Sequence, residues 1–375
     1  MTTPTIPQTD PRAGYLEQRA GIDAAVSRVL EGGWYILGNE VRNFEAEFAA
    51  YTGVRHGVGV ANGTDALVLA LKAAGVGRGD VVATVSHTAV ATVAAIEIAG
   101  ATPLLLDIDP ATYTMDPAEL ERAFGMPEHR GRIKAVIPVH LYGQAADLDR
   151  ILPLARAHGA KLIEDCAQCH GATLNERRLG TFGDVACFSL YPTKNLGAFG
   201  DGGCVVTNDD GIAESLRTLR EYGWRARYVS DVPGVNSRLD ELHAAMLRVK
   251  LAVLDADNSR RRAIADRYDS GLAGFGRLGL PARRPGAEHV FHQYVVRSPR
   301  RDSLRAALQE RGVGTNIHYP VPIHEQPAYR GRVPLGPSGL AATEQAAREV
   351  LSLPMYPQLS ADQAERVVRA VAESV

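Results

Sequence analysis

Short apolar segments that alternate with helical segments are the feature of this sequence that most restricts its fold. The apolar segments fall at 57–61, 80–85, 102–107, 133–139, 161–165, 184–189 and 203–207. Helical patterns separate most of them, at 65–74, 88–99, 116–123 and 146–158. Short apolar strands joined by helices are typical of a largely parallel sheet covered on both faces and connected by right-handed crossovers. The sequence therefore predicts an α/β fold.

Further segments extend this pattern toward both ends of the chain. Helical spacing recurs at 13–31, 40–51, 211–221, 239–270, 303–310, 344–350 and 361–373, and 289–296 has the character of a strand. With 375 residues the chain is long enough for two units. We expect a large domain over residues 1–250 and a smaller C-terminal α/β domain over 251–375.

The charge and hydropathy of the chain exclude several functional classes. A net charge of −2 gives no general attraction to nucleic acid or to an anionic membrane. No apolar run approaches the length that crosses a bilayer, and the N-terminal stretch MTTPTIPQTDPRAGY has no apolar core of the signal-peptide kind. We expect a cytoplasmic protein without nucleic-acid or membrane partners.

An acid and an amine stand where two of the predicted strands end. The segment 161–165 closes with Glu164 and Asp165, and Lys194 follows the strand at 184–189. In open α/β sheets, ligands bind at the carboxyl ends of the strands. Few charges surround Lys194, and a desolvated lysine is more easily deprotonated to a nucleophilic amine. Only five of the 41 Lys and Arg residues are lysines, and arginine cannot form a Schiff base.

These groups together suit one ligand, pyridoxal phosphate. Proteins bind this cofactor through a lysine Schiff base and place an acidic residue at its ring nitrogen. Lys194 is the candidate for the first role and Asp165 for the second. A helix that opens at Gly63-Thr64, with the Ser189 hydroxyl, can receive the phosphate. Gln168 is placed to reach the ring hydroxyl. Taken singly, each residue also fits an ordinary role, such as a surface lysine, a salt-bridge carboxylate or a helix cap.

The four cysteines do not suggest a disulfide framework in a chain of this length. Cys166 and Cys169 form a CxxC pair, which is open to a redox or metal interpretation. No second CxxC accompanies it, and the pair directly follows a predicted strand. We therefore predict no metal site.

The chain resembles the nucleotide-sugar aminotransferase family (DegT/StrS type) in four segments: NGTDAL (62–67), EDCAQ (164–168), FSLYPTKNLGAFGDGG (188–203) and GVNSRLDELHAAML (234–247). The resemblance extends over almost the whole chain, from Gly38-Asn39-Glu40 to HYPVPIH. It implies pyridoxal phosphate as cofactor, the fold type I aminotransferase architecture, and an obligate homodimer with active sites at the subunit interface.

The resemblance also implies roles for individual residues. Lys194 looks like the Schiff-base lysine, Asp165 like the partner of the ring nitrogen, and Gln168 like the glutamine near the ring hydroxyl. Asn236 matches an asparagine that reaches the phosphate from the neighbouring subunit. The phosphate cradle matches Gly63, Thr64 and Ser189.

On the sugar side the resemblance implies His318, Tyr319 and His324 as substrate-binding residues. One departure concerns the residue that stacks on the cofactor ring, since many relatives have an aromatic residue where this chain has Ala89. His87 is then a candidate for stacking on the ring, with a structural role as the alternative.

The expected reaction is a two-step transamination from glutamate to a keto-sugar nucleotide. The loop YVSDVPGVNSRLDEL (228–242) is closer to relatives that aminate carbon 3, which favours a dTDP-3-keto-6-deoxyhexose that yields a 3-amino sugar. Amination at carbon 4 or of a keto-cyclitol stays open. Cofactor-dependent dehydration of a deoxysugar is another alternative, but relatives that catalyse it have histidine in place of the lysine, and this chain has Lys194. A non-catalytic regulator would need Lys194 or Asp165 lost, or an added DNA-binding module.

Overall fold

The computed structural model describes residues 5–375, so the first four residues of the N-terminal stretch lie outside the described part. The helices of this part are α1 (Pro11–Gly32), α2 (Asn39–Thr52), α3 (Gly63–Ala73), α4 (Val90–Ile98), α5 (Pro117–Gly125), α6 (Leu148–Ala157), α7 (Asp210–Leu219), α8 (Glu241–Leu251), α9 (Leu254–Leu272), α10 (Arg301–Glu310), α11 (Ala341–Glu349) and α12 (Ala361–Ala372). Short 3₁₀ turns occupy Pro127–His129, Leu141–Gly143 and Ile323–Glu325.

The strands are β1 (His56–Val60), β2 (Val81–Val85), β3 (Thr102–Leu106), β4 (Ile133–Val136), β5 (Lys161–Asp165), β6 (Thr173–Leu174), β7 (Arg177–Arg178), β8 (Val185–Ser189), β9 (Gly203–Thr207), β10 (Trp224–Ala226), β11 (Val229–Ser230), β12 (Ala287–Glu288), β13 (Tyr294–Arg297) and β14 (Val350–Leu353). Seven of them form the main sheet in the order β1-β9-β8-β5-β4-β2-β3. Only β9 runs against its neighbours in this sheet, β8 and β1. The predicted α/β fold with a mostly parallel sheet is confirmed.

Both faces of this sheet are covered, which is why its strands are apolar throughout. All five residues of β2 are buried. In β5 the neighbours Leu162 and Ile163 belong to separate core clusters on opposite faces, as the two-residue period of a strand requires. Full burial of such a side chain contributes about 1.5–3 kcal/mol, so the faces fix the register of the strand.

The buried carboxylate of Glu164 anchors the carboxyl end of β5. It accepts hydrogen bonds from the backbone N–H groups of Gly180 (2.9 Å), Phe182 (2.8 Å) and Gly183 (2.8 Å), and from His140 Nε2 (3.2 Å). Burial by itself would raise the pKa of this carboxyl, but these bonds lower it below its usual value on balance. Glu164 therefore holds the strand end that presents the adjacent Asp165.

Two sequence-based boundaries in the C-terminal half were wrong. The predicted helix 239–270 is two helices, because Val253 (φ −114°, ψ 3°) leaves helical geometry between α8 and α9. The predicted strand 289–296 is reduced to its end, β13. Val290 N–H donates to the Gly143 carbonyl (3.1 Å), and Phe291 N–H donates to His289 Nδ1 (2.8 Å), so this segment pairs with a loop instead of a strand.

A separate core packs α9, α10, α12, β13 and β14 together, and Tyr268 and Tyr294 are fully buried in it. Ile6 also belongs to this core, through backbone bonds to Gly312 and Gly314. The division of the chain at residue 250 stays a prediction. Within residues 5–375 no helix is both long enough and apolar enough to cross a lipid bilayer.

Candidate active site

A cavity of about 640 Å³ opens at the carboxyl ends of β5 and β8. The two strands are parallel, so Asp165 and Ser189 at their ends face the same edge of the sheet. Of the residues singled out from the sequence, eight line this cavity: Gly63, Thr64, Asp165, Gln168, Ser189, Lys194, His318 and Tyr319. The amine and the carboxylate that were predicted to hold one ring thus share one pocket.

Asp165 is a buried carboxylate with two fixed partners. Thr92 Oγ1 donates to its Oδ2 (3.0 Å), and the Ala167 N–H donates to its Oδ1 (3.1 Å). Burial raises the pKa of Asp165, while the bonds from Ala167 and Thr92 and the charge of Lys194 oppose that rise. The carboxylate is therefore oriented and has capacity left for one more cation or donor.

Lys194 lies in the loop after β8, whose first turn is closed by its own N–H donating to the Tyr191 carbonyl (2.9 Å). Desolvation lowers the pKa of its amine from 10.5 to about 8, and the nearby charge of Asp165 limits the fall. At pH 7 this pKa leaves roughly one amine in ten neutral, roughly 300 times the fraction of an unperturbed lysine. Such an amine is suited to attack an aldehyde.

The lowered pKa predicts how the free amine reacts. Because only the neutral form is a nucleophile, the acetylation rate of Lys194 in the cofactor-free protein is expected to rise with pH, with a midpoint at about 8. Competitive labelling, with peptides quantified by mass spectrometry, gives this midpoint, and the exposed Lys134 is labelled in the same sample as the internal control. Equal midpoints for the two lysines would contradict the desolvation of Lys194.

The start of α3 has the form of a phosphate cradle. Asn62 caps this helix by accepting from the Asp65 N–H (2.8 Å), which leaves the N–H groups of Gly63 and Thr64 directed at the cavity end of the helix. A Cβ on Gly63 would lie 2.6 Å from Ser189 Cβ and 3.1 Å from its hydroxyl oxygen, so any side chain there would collide with Ser189. These donors fit the phosphate of pyridoxal phosphate.

Gly63→Ala is therefore expected to weaken cofactor binding at least about tenfold, because the added methyl group would push the Ser189 side chain out of the cradle. The measurement is the dissociation constant of pyridoxal phosphate from the cofactor-free protein. Gly125→Ala is the matched control, since a Cβ at Gly125 in α5 meets no atom within 4 Å. An unchanged constant in Gly63→Ala would remove the cradle from the site.

Gln168 is held by two protein contacts. Its Oε1 accepts from the Tyr142 N–H (2.8 Å), and its Nε2 donates to the Tyr319 hydroxyl (3.2 Å). A primary amide nitrogen carries two hydrogens, so the second can serve a ring hydroxyl. Burial raises the pKa of Tyr319 to about 12, which keeps that hydroxyl protonated.

Three residues from the predicted set do not line the cavity. The first is His87, which is not placed to stack on the cofactor ring as hypothesised. Its fully buried ring is turned inward, and its Nε2 forms a hydrogen bond with the Tyr142 hydroxyl (2.9 Å). Ala89 lines the pocket instead. Burial lowers the pKa of His87 to about 4, so it stays neutral. His324 bonds through Nδ1 to Ser86 Oγ (2.8 Å). Asn236 is exposed at the surface.

The CxxC pair has an interior role. Cys166 and Cys169 are free thiols, both fully buried. Burial raises the pKa of each thiol, which disfavours the reactive thiolate. The pair packs in the core beside β5.

Comparison with known proteins decides the family. The model of the DegT/DnrJ/EryC1/StrS aminotransferase family matches residues 17–372. This chain belongs to that family. The dTDP-3-amino-3,4,6-trideoxy-alpha-D-glucose transaminase of Streptomyces venezuelae is 50% identical over 372 residues, which cover 99% of this chain and 96% of that protein. A transaminase of the same description from Micromonospora megalomicea subsp. nigra is 48% identical, with 96% of each chain covered.

A solved structure agrees with these relatives. The crystal structure of DesV from S. venezuelae in complex with a ketimine intermediate superposes with a TM-score of 0.95 at 50% identity, and 99% of this chain and 98% of that chain are covered. The family is dependent on pyridoxal phosphate, so the predicted cofactor, fold and aminotransferase activity are confirmed.

Sequence reasoning missed several residues of this aminotransferase that line the cavity, among them Thr92, Asp201, His292 and Gln293. Thr92 sits in the first turn of α4, and its only local indication was a hydroxyl near a strand end. His292 and Gln293 precede β13, a strand outside the main sheet, so no strand-end argument pointed to them. Burial lowers the pKa of His292 well below 6.5, which leaves it neutral beside Lys194.

Proposed function

We propose that this aminotransferase moves an amino group from glutamate to carbon 3 of a keto-sugar nucleotide, most simply a dTDP-3-keto-6-deoxyhexose. The observation that carries the proposal is the shared cavity of Lys194 and Asp165 in a chain 50% identical to a transaminase named for a dTDP-3-amino sugar. Carbon 3 is also the position favoured by the loop at 228–242.

Bound pyridoxal phosphate supplies an electron sink that lets an amino group move between two carbon skeletons. Gly63, Thr64 and Ser189 would hold its phosphate, and Asp165 would keep a proton on its ring nitrogen. Lys194 would hold it covalently, and its free amine would serve as the base and the acid for the proton that moves during amino transfer. The same lysine serves both halves of the reaction because its amine is partly neutral near pH 7.

The acceptor occupies the side of the cavity that the C-terminal half lines. His318 and Tyr319 stand there with His292 and Gln293. His318 is oriented by Ser352 Oγ (2.8 Å from Nδ1), and burial lowers its pKa to about 4. Neutral imidazole and amide groups both donate and accept hydrogen bonds, as sugar hydroxyl groups require.

The sugar specificity is tested with a panel of acceptors and glutamate as donor. A dTDP-3-keto-6-deoxyhexose is expected to give product, detected by mass spectrometry, with kcat/KM at least about 100-fold above the 4-keto isomer or a keto-cyclitol. Faster conversion of the 4-keto isomer or of the cyclitol would move the proposal to that substrate. No conversion of any acceptor would favour the non-catalytic regulator.

We further propose that the active form is a homodimer. Support comes from an aromatic face, defined as Trp34, Tyr35, Ile36, Tyr222 and Tyr228, in which Trp34 is 67% and Tyr228 73% exposed. Apolar groups in such a patch are commonly covered by a partner. Light scattering should then give the mass of two chains. The cytoplasmic location stays a prediction.

Asn236 adjoins this face and is the residue proposed to cross the interface. Its neighbour Ser237 is buried and donates to Asp65 Oδ2 (2.6 Å), which fixes the loop, while the Asn236 side chain stays exposed. Mixing Lys194→Ala subunits with Asn236→Ala subunits separates the two locations. If Asn236 acts across the interface, each mixed dimer contains one intact site and activity returns. If it acts within its own chain, a mixed dimer still holds one site that has only the Asn236 defect, and mixing restores nothing.

A further inference from the structure

A pair of buried amide side chains lies behind the cavity. Asn195, next to Lys194, donates through Nδ2 to Asn258 Oδ1 (2.8 Å) and to the Val290 carbonyl (3.0 Å). Asn258, in α9, donates through its own Nδ2 to the His170 carbonyl (2.9 Å). Asn258 is 1% exposed and does not line the cavity.

These bonds join three segments that build the site. Asn195 belongs to the loop that carries Lys194. His170 ends the segment that begins with Asp165 and includes Gln168. Val290 precedes His292 and Gln293, which line the cavity from the C-terminal half. A single amide pair is thus bonded to the amine's loop, the carboxylate's segment and the segment proposed to face the acceptor.

The surroundings of Asn258 suit an amide. Its Oδ1 accepts one hydrogen bond while its Nδ2 donates another, which a carboxylate of the same size cannot do. Gly171 leaves space for the amide of Asn258, since a Cβ at this position would lie 2.7 Å from Asn258 Nδ2. Amides carry no net charge, so the pair adds no second charge beside Lys194, as a buried carboxylate would.

We propose that Asn258 is a positioning residue of the transaminase, which sets the placement of Lys194 relative to Asp165 through Asn195 and the His170 carbonyl. It touches neither cofactor nor substrate. Because proton transfer by Lys194 is needed in both halves of the reaction, its displacement slows both. The inference rests on the proposed roles of Lys194 and Asp165.

The test is Asn258→Ala, measured as single-turnover rates for each half-reaction per bound cofactor. Both rates are expected to fall on the order of 10- to 100-fold, with KM for the sugar nucleotide changed less than about threefold. A readout free of cofactor is the acetylation rate of Lys194 in the cofactor-free protein, which should change while that of Lys134 does not. Tyr268→Phe is the matched control, because it removes one buried bond of the same helix (2.9 Å to the Pro354 carbonyl) far from the pair.

A double-mutant cycle identifies the connection. Asn195→Ala removes the same bond from the loop side together with the bond to the Val290 carbonyl, so the loss of rate in the double variant should be smaller than the combined losses of the two single variants. Asn195→Ala also carries the test if Asn258→Ala does not fold. Additive losses, or rates equal to those of Tyr268→Phe, would overturn the inference. If the unsubstituted enzyme converts no keto-sugar nucleotide, the proposed function fails instead, and that result is separable from this one.

Discussion

Replacing Lys194 with alanine is expected to abolish transamination, with kcat reduced by at least about 10⁴-fold. In the proposed mechanism the variant loses the covalent attachment and the group that moves the proton in both half-reactions, and acid–base catalysis alone accounts for about 10²–10⁴-fold. The measurement is product formation from glutamate and a keto-sugar nucleotide, with the cofactor content determined in the same sample.

The fold should survive this change. Desolvation lowers the pKa of Lys194 from 10.5 to about 8 in the folded chain. Below pH 8 the amine is protonated in both states but holds its proton less tightly in the folded one, so the charged lysine disfavours folding. Removing it should leave the unfolding temperature of the cofactor-free protein at pH 7 equal or higher. Lys134→Ala, at an exposed position of β4, is the control expected to keep full activity. Sustained turnover by Lys194→Ala would assign the chemistry to another residue.

Local patterns were enough to place the residues at the ends of the main sheet. Asp165 and Ser189 end parallel strands, and Gly63 opens a helix after β1. These positions meet at one edge of the sheet irrespective of the conformation of the connecting loops. Local sequence patterns failed where contacts between distant residues determine the orientation of a side chain. The His87 ring is turned inward by the Tyr142 hydroxyl, 55 residues away.

The amide pair behind the cavity shows the same limit. Asn195 and Asn258 are 63 residues apart, and Asn258 occupies a helical position that resembles any other polar residue of α9. Neither spacing nor composition distinguishes it. Likewise, the break at Val253 follows no glycine or proline, so the sequence there favoured one continuous helix. Only tertiary packing defines these features.

Asp165→Asn is the second change with a large expected effect. An amide cannot hold a proton on the cofactor's ring nitrogen, so kcat should fall on the order of 10³-fold. Structure should be kept, because Oδ1 can still accept from the Ala167 N–H, and Thr92 Oγ1 can rotate to accept from the new amide. The fall in kcat is measured at saturating cofactor, and the preserved structure is measured as an unchanged unfolding temperature.

The adjacent Glu164 is the matched control, since the same substitution there should do the opposite. Each oxygen of Glu164 faces fixed donors: Oε1 faces the Phe182 and Gly183 N–H groups, and Oε2 faces the Gly180 N–H and His140. An amide nitrogen at either position opposes backbone donors that cannot turn away, at a cost of about 1–3 kcal/mol for each one left unpaired. Glu164→Gln should therefore lower the free energy of unfolding while its folded fraction stays far more active than Asp165→Asn. The reverse order of activities would assign the ring-nitrogen role to the wrong carboxylate.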